Sequence, residues 1–518
     1  MMKEKLTNLI KETLKSLDLK VVDFVVEHPV DLKMGDYSTN VGIKTGKAKE
    51  IITHLEAQPP SGVERMELAG PGFINFYLSK EFFKNSLEEI IKKGNEFGKN
   101  HNLRGQKIFI EHTQPNPFKT FHIGHLMNNT IGESISRIIQ ANGAEIKTAS
   151  YHGDVGMHVA KALWKGDYAL GAKAFEEDQA AKTEMQEINK KIYAKSDSDI
   201  NMKYTAGKRK SLNEFKKIYQ KLGSKFDYSF FESETAEIGK KLVLDNLGTV
   251  FEESEGAIVF KGGKFGLHTR VFLNSEKLPT YEAKEIGLAK IKKGKYNFDQ
   301  SITVTASEQD AFFDVVEMAI GEVFQELKNK LKHLSHGMLR LPTGKMSSRT
   351  GDVITAETLI DEVKKKVKGN EAVAIGAIKY MILRQTIGND IIFDIEKSVS
   401  TEGDSGVYLQ YAYARTNSLL EKTDKKVDVN APREKTHEIE RLLYRFPEIV
   451  ERAGKEFAPH YITTYLTELA SSFNNFYAYE QIIDGSPESP YRLAIVKAFN
   501  IVMKNGLTIL GIPAPERM

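Results

Sequence analysis

Apolar residues recur every three or four positions through Leu6, Leu9, Ile10, Leu14 and Leu17, which predicts an amphipathic helix at the start of the chain. VVDFVVE, beginning at Val21, reads as a strand, and GDYSTNVGIK and AGPGFINFYLS read as glycine-bearing turns leading into alternating apolar segments. A charged helix follows from about Lys80 to Lys93. Together these predict a small α+β domain over residues 1–105, without an obvious catalytic cluster. The polar, glycine-rich stretch KKGNEFGKNHNLRGQK behind it reads as a linker.

The pattern then changes. Lys107–Glu111 (KIFIE) is a short β-branched run that predicts a buried strand, and HTQPNPFKTF after it carries two prolines and is a loop. From Leu126 onward, Ile131, Ile135, Ile138 and Ile139 keep helical spacing, and Asn142-Gly143 supplies a stop. Ile146 to Ser150 would be a second strand. This succession predicts a doubly wound parallel sheet over residues 106–399, with free backbone N–H groups at the helix start available to a phosphate. Charged segments from Trp164 to about Ser224 read as solvated helices, and AIVFKGGKFGLHTRVFLN as short strands, so an insertion is placed at about 164–270. LPTYEAKEIGLAKIKKG, SITVTASEQD and HGMLRLPTGKMSSRTGDVIT follow as helix, strand and loop. Residues 400–518 are almost wholly helical in pattern. Their aromatic and basic residues could stack on unpaired bases or simply form a core.

Bulk composition narrows this little. The 518 residues suggest about three domains, and 41% hydrophobic with 28% charged residues is a globular balance. A net charge of +3 neither requires nor excludes a polyanionic partner, which would have to bind local basic patches. The absence of cysteine removes thiolate catalysis and cysteine-ligated zinc. The N-terminus is unlike a signal peptide and no uncharged apolar run reaches membrane-spanning length, so the cytoplasm is expected, with no membrane contact.

Candidate chemistry sits at the turns. His122 and His125 share one helix face, where their nitrogens could meet charge on a phosphoryl group, and Gly124 between them would let a flat ring approach. Gly153, Asp154 and Gly156 bring a carboxylate and flexible backbone to the ligand-binding edge of a sheet, or make a tight turn. Tyr281 and Glu285 share a face suited to a cationic guest or to a surface pair. Gln309 ends a strand, and Lys345, Ser347, Ser348 and Arg349 put cations and hydroxyls on a loop that could close over a triphosphate or be plain surface.

HIGH at 122–125 and KMSSR at 345–349, with an insertion between them, resemble the two signatures of class I aminoacyl-tRNA synthetases. The flanks narrow the likeness: EHTQPNPFKTFHIGH, with an acid, then PN, then a lysine before the histidines, resembles the arginyl-tRNA synthetase family. GDYSTN and AGPGFINFYLS resemble its N-terminal domain, YHGDVGMH its GDxG segment, and FESE and YEAKE its substrate-pocket stretches. QYAYAR and GLTILGIPAPERM resemble its anticodon-binding domain, so the likeness covers essentially the whole chain.

The resemblance implies a Rossmann-like catalytic domain and a ligase that makes arginyl-adenylate from L-arginine and ATP, then arginylates the 2′-hydroxyl of tRNA(Arg). It implies that Glu111 and Asn116 lie in the arginine pocket, that Asn116 and Gln309 stand near the amino and carboxyl end, and that Tyr281, Glu285 and Glu232 receive the guanidinium. Carboxylates in fork geometry suit that planar cation and would reject lysine. ATP would meet His122, Gly124, His125, Gly153, Asp154, Met346, Ser347 and Ser348, while His122, His125, Lys119 and Lys345 would stabilise transition-state charge. Mg²⁺ would arrive with ATP, no structural metal is expected, and the expected state is a monomer; family members often need bound tRNA before the adenylate forms.

Three positions depart from the family pattern. Glu285 stands where many members have aspartate, KMSSR replaces KMSKS while Lys119 precedes HIGH, and His158 stands where many have glutamine. Two alternatives belong to other classes. A small nucleotidylyltransferase also uses an HxGH helix start but leaves the C-terminal helices and KMSSR unused; a silent RNA-binding relative has no chemical need for HIGH, Lys119 and Lys345.

Overall fold

The computed structural model describes residues 1–342, 354–423 and 426–518, so Lys345, Met346, Ser347, Ser348 and Arg349 lie outside the described residues. Helix α1 (Met2–Ser16) buries Leu6, Ile10 and Leu14, as its spacing predicts. It belongs with an antiparallel sheet of order β1-β2-β4-β3, formed by β1 (Val26–Glu27), β2 (Tyr37–Thr39), β3 (Val63–Ala69) and β4 (Phe73–Leu78). Helices α2 (Val41–Thr45), α3 (Ala48–Ala57) and α4 (Lys80–Lys93) complete this unit. Only Val26 and Glu27 of VVDFVVE join the sheet, because the partner strand β2 is itself three residues long. β3 escaped the pattern reading because it is an edge strand, exposed or half-buried throughout.

The stretch 92–107 is not a free linker. Phe97 is buried in the core, and Asn505 Nδ2 donates to the carbonyls of Gly94 and Phe97, each at 2.9 Å. Asn100 donates from its backbone to Ala141 O at 2.9 Å and from its side chain to Asn142 Oδ1 at 2.8 Å. Most of its polar side chains still face solvent, but Phe97, Asn100 and the carbonyls that Asn505 caps tie the stretch to the packed units.

A five-stranded sheet carries the centre of the molecule. It comprises β5 (Lys107–Glu111), β6 (Glu145–His152), β7 (Tyr228–Phe231), β11 (Gln300–Ala306) and β12 (Leu331–His336), parallel throughout, in the order β12-β11-β5-β6-β7. The chain runs outward from β5 to β7 on one side and returns on the other side as β11 and β12. The C-terminal end of β5 is therefore the topological switch point, where two loops diverge and leave a crevice. Helix α5 (Ile123–Ala141) crosses from β5 to β6, and helices α6 (Met157–Lys165), α7 (Tyr168–Glu177), α8 (Gln179–Ala194) and α9 (Ser198–Leu222) lie between β6 and β7.

Beyond β7, α10 (Glu232–Asp245) packs against α11 (Tyr281–Lys295), with the small antiparallel sheet β8 (Glu252–Ser254), β9 (Ala257–Lys261) and β10 (Thr269–Leu273) between them in sequence. The two helices approach so closely that a Cβ on Gly239 would stand 1.9 Å from Ala283 O. After α12 (Asp310–Val323) come β13 (Leu339–Arg340), α13 (Ala356–Lys366), α14 (Glu371–Leu383), β14 (Ile391–Ile392) and α15 (Ile395–Ser398). The C-terminal bundle is α16 (Gly406–Glu421), α17 (Glu438–Leu443), α18 (Phe446–Glu456), α19 (His460–Tyr479) and α20 (Ser489–Ile509). One hydrophobic core runs from α5 through α14 into these helices, so the bundle is packed onto the unit of the five-stranded sheet. No described helix is long and apolar enough to cross a membrane.

Candidate active site

The loop after β5 is held in an uncommon shape. Thr113, Gln114 and Phe118 have φ of +79°, +48° and +68°, conformations that side chains disfavour and that surrounding contacts must impose. Asn128 Oδ1 accepts from Thr113 N at 2.7 Å, Ser211 Oγ accepts from Phe118 N at 3.0 Å, and Pro115 O accepts from His152 Nδ1 at 2.7 Å. Ser211 belongs to α9, so the inserted helices brace this loop and are more than a solvated decoration.

His122 is the N-cap of α5 and His125 its third helical residue, so only the second sits in the first turn. His125 Nδ1 accepts from His122 N at 3.2 Å, and His122 Nδ1 accepts from Gly124 N at 3.1 Å. Ile123 N donates to Ile354 O at 3.3 Å. The expected cradle of free helix-start N–H groups is thereby corrected: the histidines and residue 354 already take them. What the turn offers instead follows from the tautomers. Each Nδ1 accepts, so each neutral ring carries its proton on Nε2 and can donate it outward. The rings stack with centroids 3.7 Å apart. Burial, then Lys119, lowers His122 to about 4; burial, then His122, holds His125 well below its usual range. Both are therefore neutral donors near pH 7 in the unliganded protein.

Gly124 has a reason beyond ligand approach. A Cβ there would stand 2.9 Å from His122 Cε1 and 3.0 Å from Nδ1. Gly124→Ala is expected to turn the His122 ring and lower adenylate formation by about 10- to 100-fold. Thermal stability should hold or rise, since alanine favours a helix over glycine by about 0.5–1 kcal/mol; a stopped-flow adenylation assay beside a melting curve separates the two.

Asn116 Oδ1 accepts from Gly153 N at 2.9 Å, which turns its amide donors away from that turn. Lys119 N donates to Asn116 O at 3.1 Å, and its ammonium lies 5.4 Å from the Tyr168 ring centroid. Burial and then Lys161 lower its affinity for a proton, against the pull of Glu232. His158, unremarked from sequence beyond its departure from glutamine, donates through Nε2 to Gly153 O at 2.8 Å and is lowered to about 4 by burial and Lys119.

Asp154 requires a correction. Its fully buried carboxylate accepts from Tyr204 OH, Lys208 Nζ and Ser233 Oγ, each at 2.7 Å, and from Ser233 N at 2.9 Å. Burial pushes it up, but the hydrogen bonds from Lys208 and Ser233 win and hold it below the usual carboxylate range. A carboxylate with four protein donors joins the Gly153 turn to α9 and α10. Its partners lie 50 or more residues away in sequence, so the motif alone could not show this.

Three other carboxylates converge. Glu111 Oε1 accepts from Gln114 Nε2 at 2.6 Å and Oε2 from Lys292 at 3.1 Å. Glu232, the first residue of α10, accepts from Lys284 at 2.6 Å, and burial raises its carboxyl. Glu285 is raised well above the usual range by burial and by Glu111. Lys284 and Lys292 were not singled out from sequence, where a lysine on a charged helix looks solvated. Tyr281 stands at the mouth, 62% exposed. Gln309 is at the N-cap of α12, exposed, and the described residues give its side chain no contact with the pocket. Residues 354–356 lie beside HIGH, for Ala356 N donates to Phe121 O at 2.9 Å.

A parallel sheet with HIGH capping the helix at its switch point, matched by a class I catalytic-domain model, makes this a class I aminoacyl-tRNA synthetase catalytic domain. Family models match in three places: "Arginyl tRNA synthetase N terminal domain" at 4–78, "tRNA synthetases class I (R), catalytic domain" at 86–218 and 165–395, and "DALR anticodon binding domain" at 409–518. An arginine–tRNA ligase of Streptococcus mutans is 31% identical over 551 residues, covering 97% of each chain, and one of Treponema pallidum is 29% identical, covering 95% of each. In fold, the chain is similar to arginyl-tRNA synthetases of Thermus thermophilus (TM-score 0.76, 24% identity, 100% of both chains) and Plasmodium falciparum (TM-score 0.80, 20% identity, 100% and 99%). The chain belongs to the arginyl-tRNA synthetase family. It is an enzyme that joins L-arginine to tRNA through arginyl-adenylate, with ATP as co-substrate. The nucleotidylyltransferase alternative falls, because the likeness extends through the C-terminal bundle.

Proposed function

We propose that the single stretch Glu111–His125 binds both small substrates, as a shared wall between ATP and arginine. The observation that carries this reading is the convergence of buried Glu111 and Glu232 and half-buried Glu285 with Asn116, Lys119 and the histidine pair around one crevice. Glu285 and Glu232 receive the guanidinium with Tyr281 at the mouth, and the Asn116 amide donors hold the carboxylate end. His122 and His125 donate Nε2–H to the phosphates as charge builds in line, Lys119 supplies the cation, and Gly124 leaves room for adenine beside the helix start. Asp154 positions the Gly153 turn. Lys345, Met346, Ser347 and Ser348 are assigned to ATP from their place in the family motif.

Mg²⁺ enters with ATP as part of the substrate; among the described residues no group of three His, Asp or Glu is placed to hold a metal ion. The helices α16–α20 take the tRNA anticodon region, in keeping with the family model matched there. We assign a cytoplasmic monomer, with domains at 1–105, 106–399 and 400–518. Aminoacylation of total tRNA with each of the twenty amino acids tests the reading: signal is expected for arginine alone, and charging of lysine at comparable rates would overturn it.

The neutral histidines give a pH expectation. In the free enzyme His122 begins to protonate only as pH falls towards 4, so kcat/KM for ATP at saturating arginine should show no histidine limb between about pH 5.5 and 8. A limb near 6.5 that vanishes in His122→Asn would contradict this.

A further inference from the structure

Lys292 has no part in the proposed substrate contacts, yet it stands among the carboxylates that build the pocket. Its ammonium donates to Glu111 Oε2 at 3.1 Å, with both side chains almost wholly buried, and lies 5.1 Å from the Phe109 ring centroid. On α11 it lies two turns beyond Glu285, on the same face. Glu285, Lys292 and Glu317, the last reaching in from α12, line one cavity of about 30 Å³ with Ser301 and Thr303.

Several buried carboxylates around one ammonium cannot all remain ionised in a medium of low polarity. Burial and Asp314 raise Glu317 to about 7, with Lys292 opposing. Burial and Glu111 raise Glu285, again with Lys292 opposing, while Glu232 on α10 and Glu282 on α11 add to the rise. Tyr151 of β6 feels the same carboxylates and is buried neutral. Among the described residues, the other nearby cations are committed: Lys284 to Glu232, and Arg270 of β10 to Glu282.

We propose that Lys292 is a specificity-determining residue, the resident counter-cation that keeps Glu285 anionic toward the substrate, and that Glu317 competes with Glu285 for it. This rests on the reading of Glu285 as a guanidinium acceptor. A protonated Glu285 would donate to the urea oxygen of citrulline, the neutral isostere of arginine; an ionised one demands the cation. Lys292 thus sets arginine against citrulline without touching either.

The test uses the full-length enzyme with tRNA, measuring kcat/KM for arginine, KM for ATP and citrulline inhibition from about pH 6 to 9. In Lys292→Met the acid limb of kcat/KM for arginine should move up by about one pH unit, with citrulline inhibiting about tenfold better relative to arginine. In Glu317→Gln, which keeps shape and lysine, the limb should move down. KM for ATP should stay constant in both. Glu285→Gln serves as the control. Limbs at the wild-type position in both variants, while Glu285→Gln abolishes the limb, would overturn the role of Lys292 and leave the pocket intact. An unchanged limb and arginine KM in Glu285→Gln would overturn the pocket reading itself. Should Lys292→Met fail to fold, the downward shift in Glu317→Gln decides alone.

Discussion

Lys119→Ala is expected to lower tRNA-supported ATP–pyrophosphate exchange by about 100- to 1,000-fold, whereas Lys345→Ala costs much less. The argument begins from the histidines. Both rings are neutral in the unliganded protein, so the cation that meets an arriving triphosphate must come from elsewhere. Lys284 and Lys292 are committed to Glu232 and Glu111. Lys119 is fixed at its backbone by Asn116 O, on a loop braced through Phe118 N by Ser211. Its ammonium is partly buried and repelled by Lys161, so an arriving triphosphate relieves an unfavourable interaction as well as making a new one. Lys119→Arg should restore part of the rate, because charge survives while reach changes. KM for arginine should move little in either variant. A far larger loss in Lys345→Ala would reverse the assignment and return the transition-state charge to the KMSSR segment.

Local features of this site were legible because local sequence makes them. KIFIE, the two prolines and the isoleucine spacing after Leu126 define strand, loop and helix without reference to the rest of the chain, and β5, the loop and α5 follow them. What escaped depends on partners far apart in sequence. Asp154 looks like an outward carboxylate at a sheet edge until Tyr204, Lys208 and Ser233 close on it. Lys284 and Lys292 look solvated on a charged helix until α11 packs against α10 and β5 brings Glu111 beneath it. The same limit misread KKGNEFGKNHNLRGQK, which is anchored by a buried Phe97, by Asn100 and by the distant Asn505. Charge state is the property least visible in a motif: HIGH names two histidines, and only their burial shows that neither is a cation.

Glu285→Gln is expected to weaken arginine binding by about 2–4 kcal/mol, seen as a rise in arginine KM with ATP KM unchanged. The amide keeps the size of the side chain but replaces one acceptor by a donor that faces guanidinium N–H groups, so geometry is preserved while the pairing is lost. Glu111 cannot take over, since its oxygens are already given to Gln114 and Lys292. Glu232 accepts from Lys284 through Oε2 and can offset only part of the loss. Glu285→Asp separates charge from reach: the carboxylate remains but withdraws by one methylene from a position reached across the α10–α11 contact. An intermediate loss in the aspartate variant, recovered in part at higher pH, would mean that this pocket is built around the longer acid. A larger loss in the aspartate than in the glutamine variant would mean that reach, and not charge, dominates, and unchanged arginine affinity in both would remove Glu285 from the pocket.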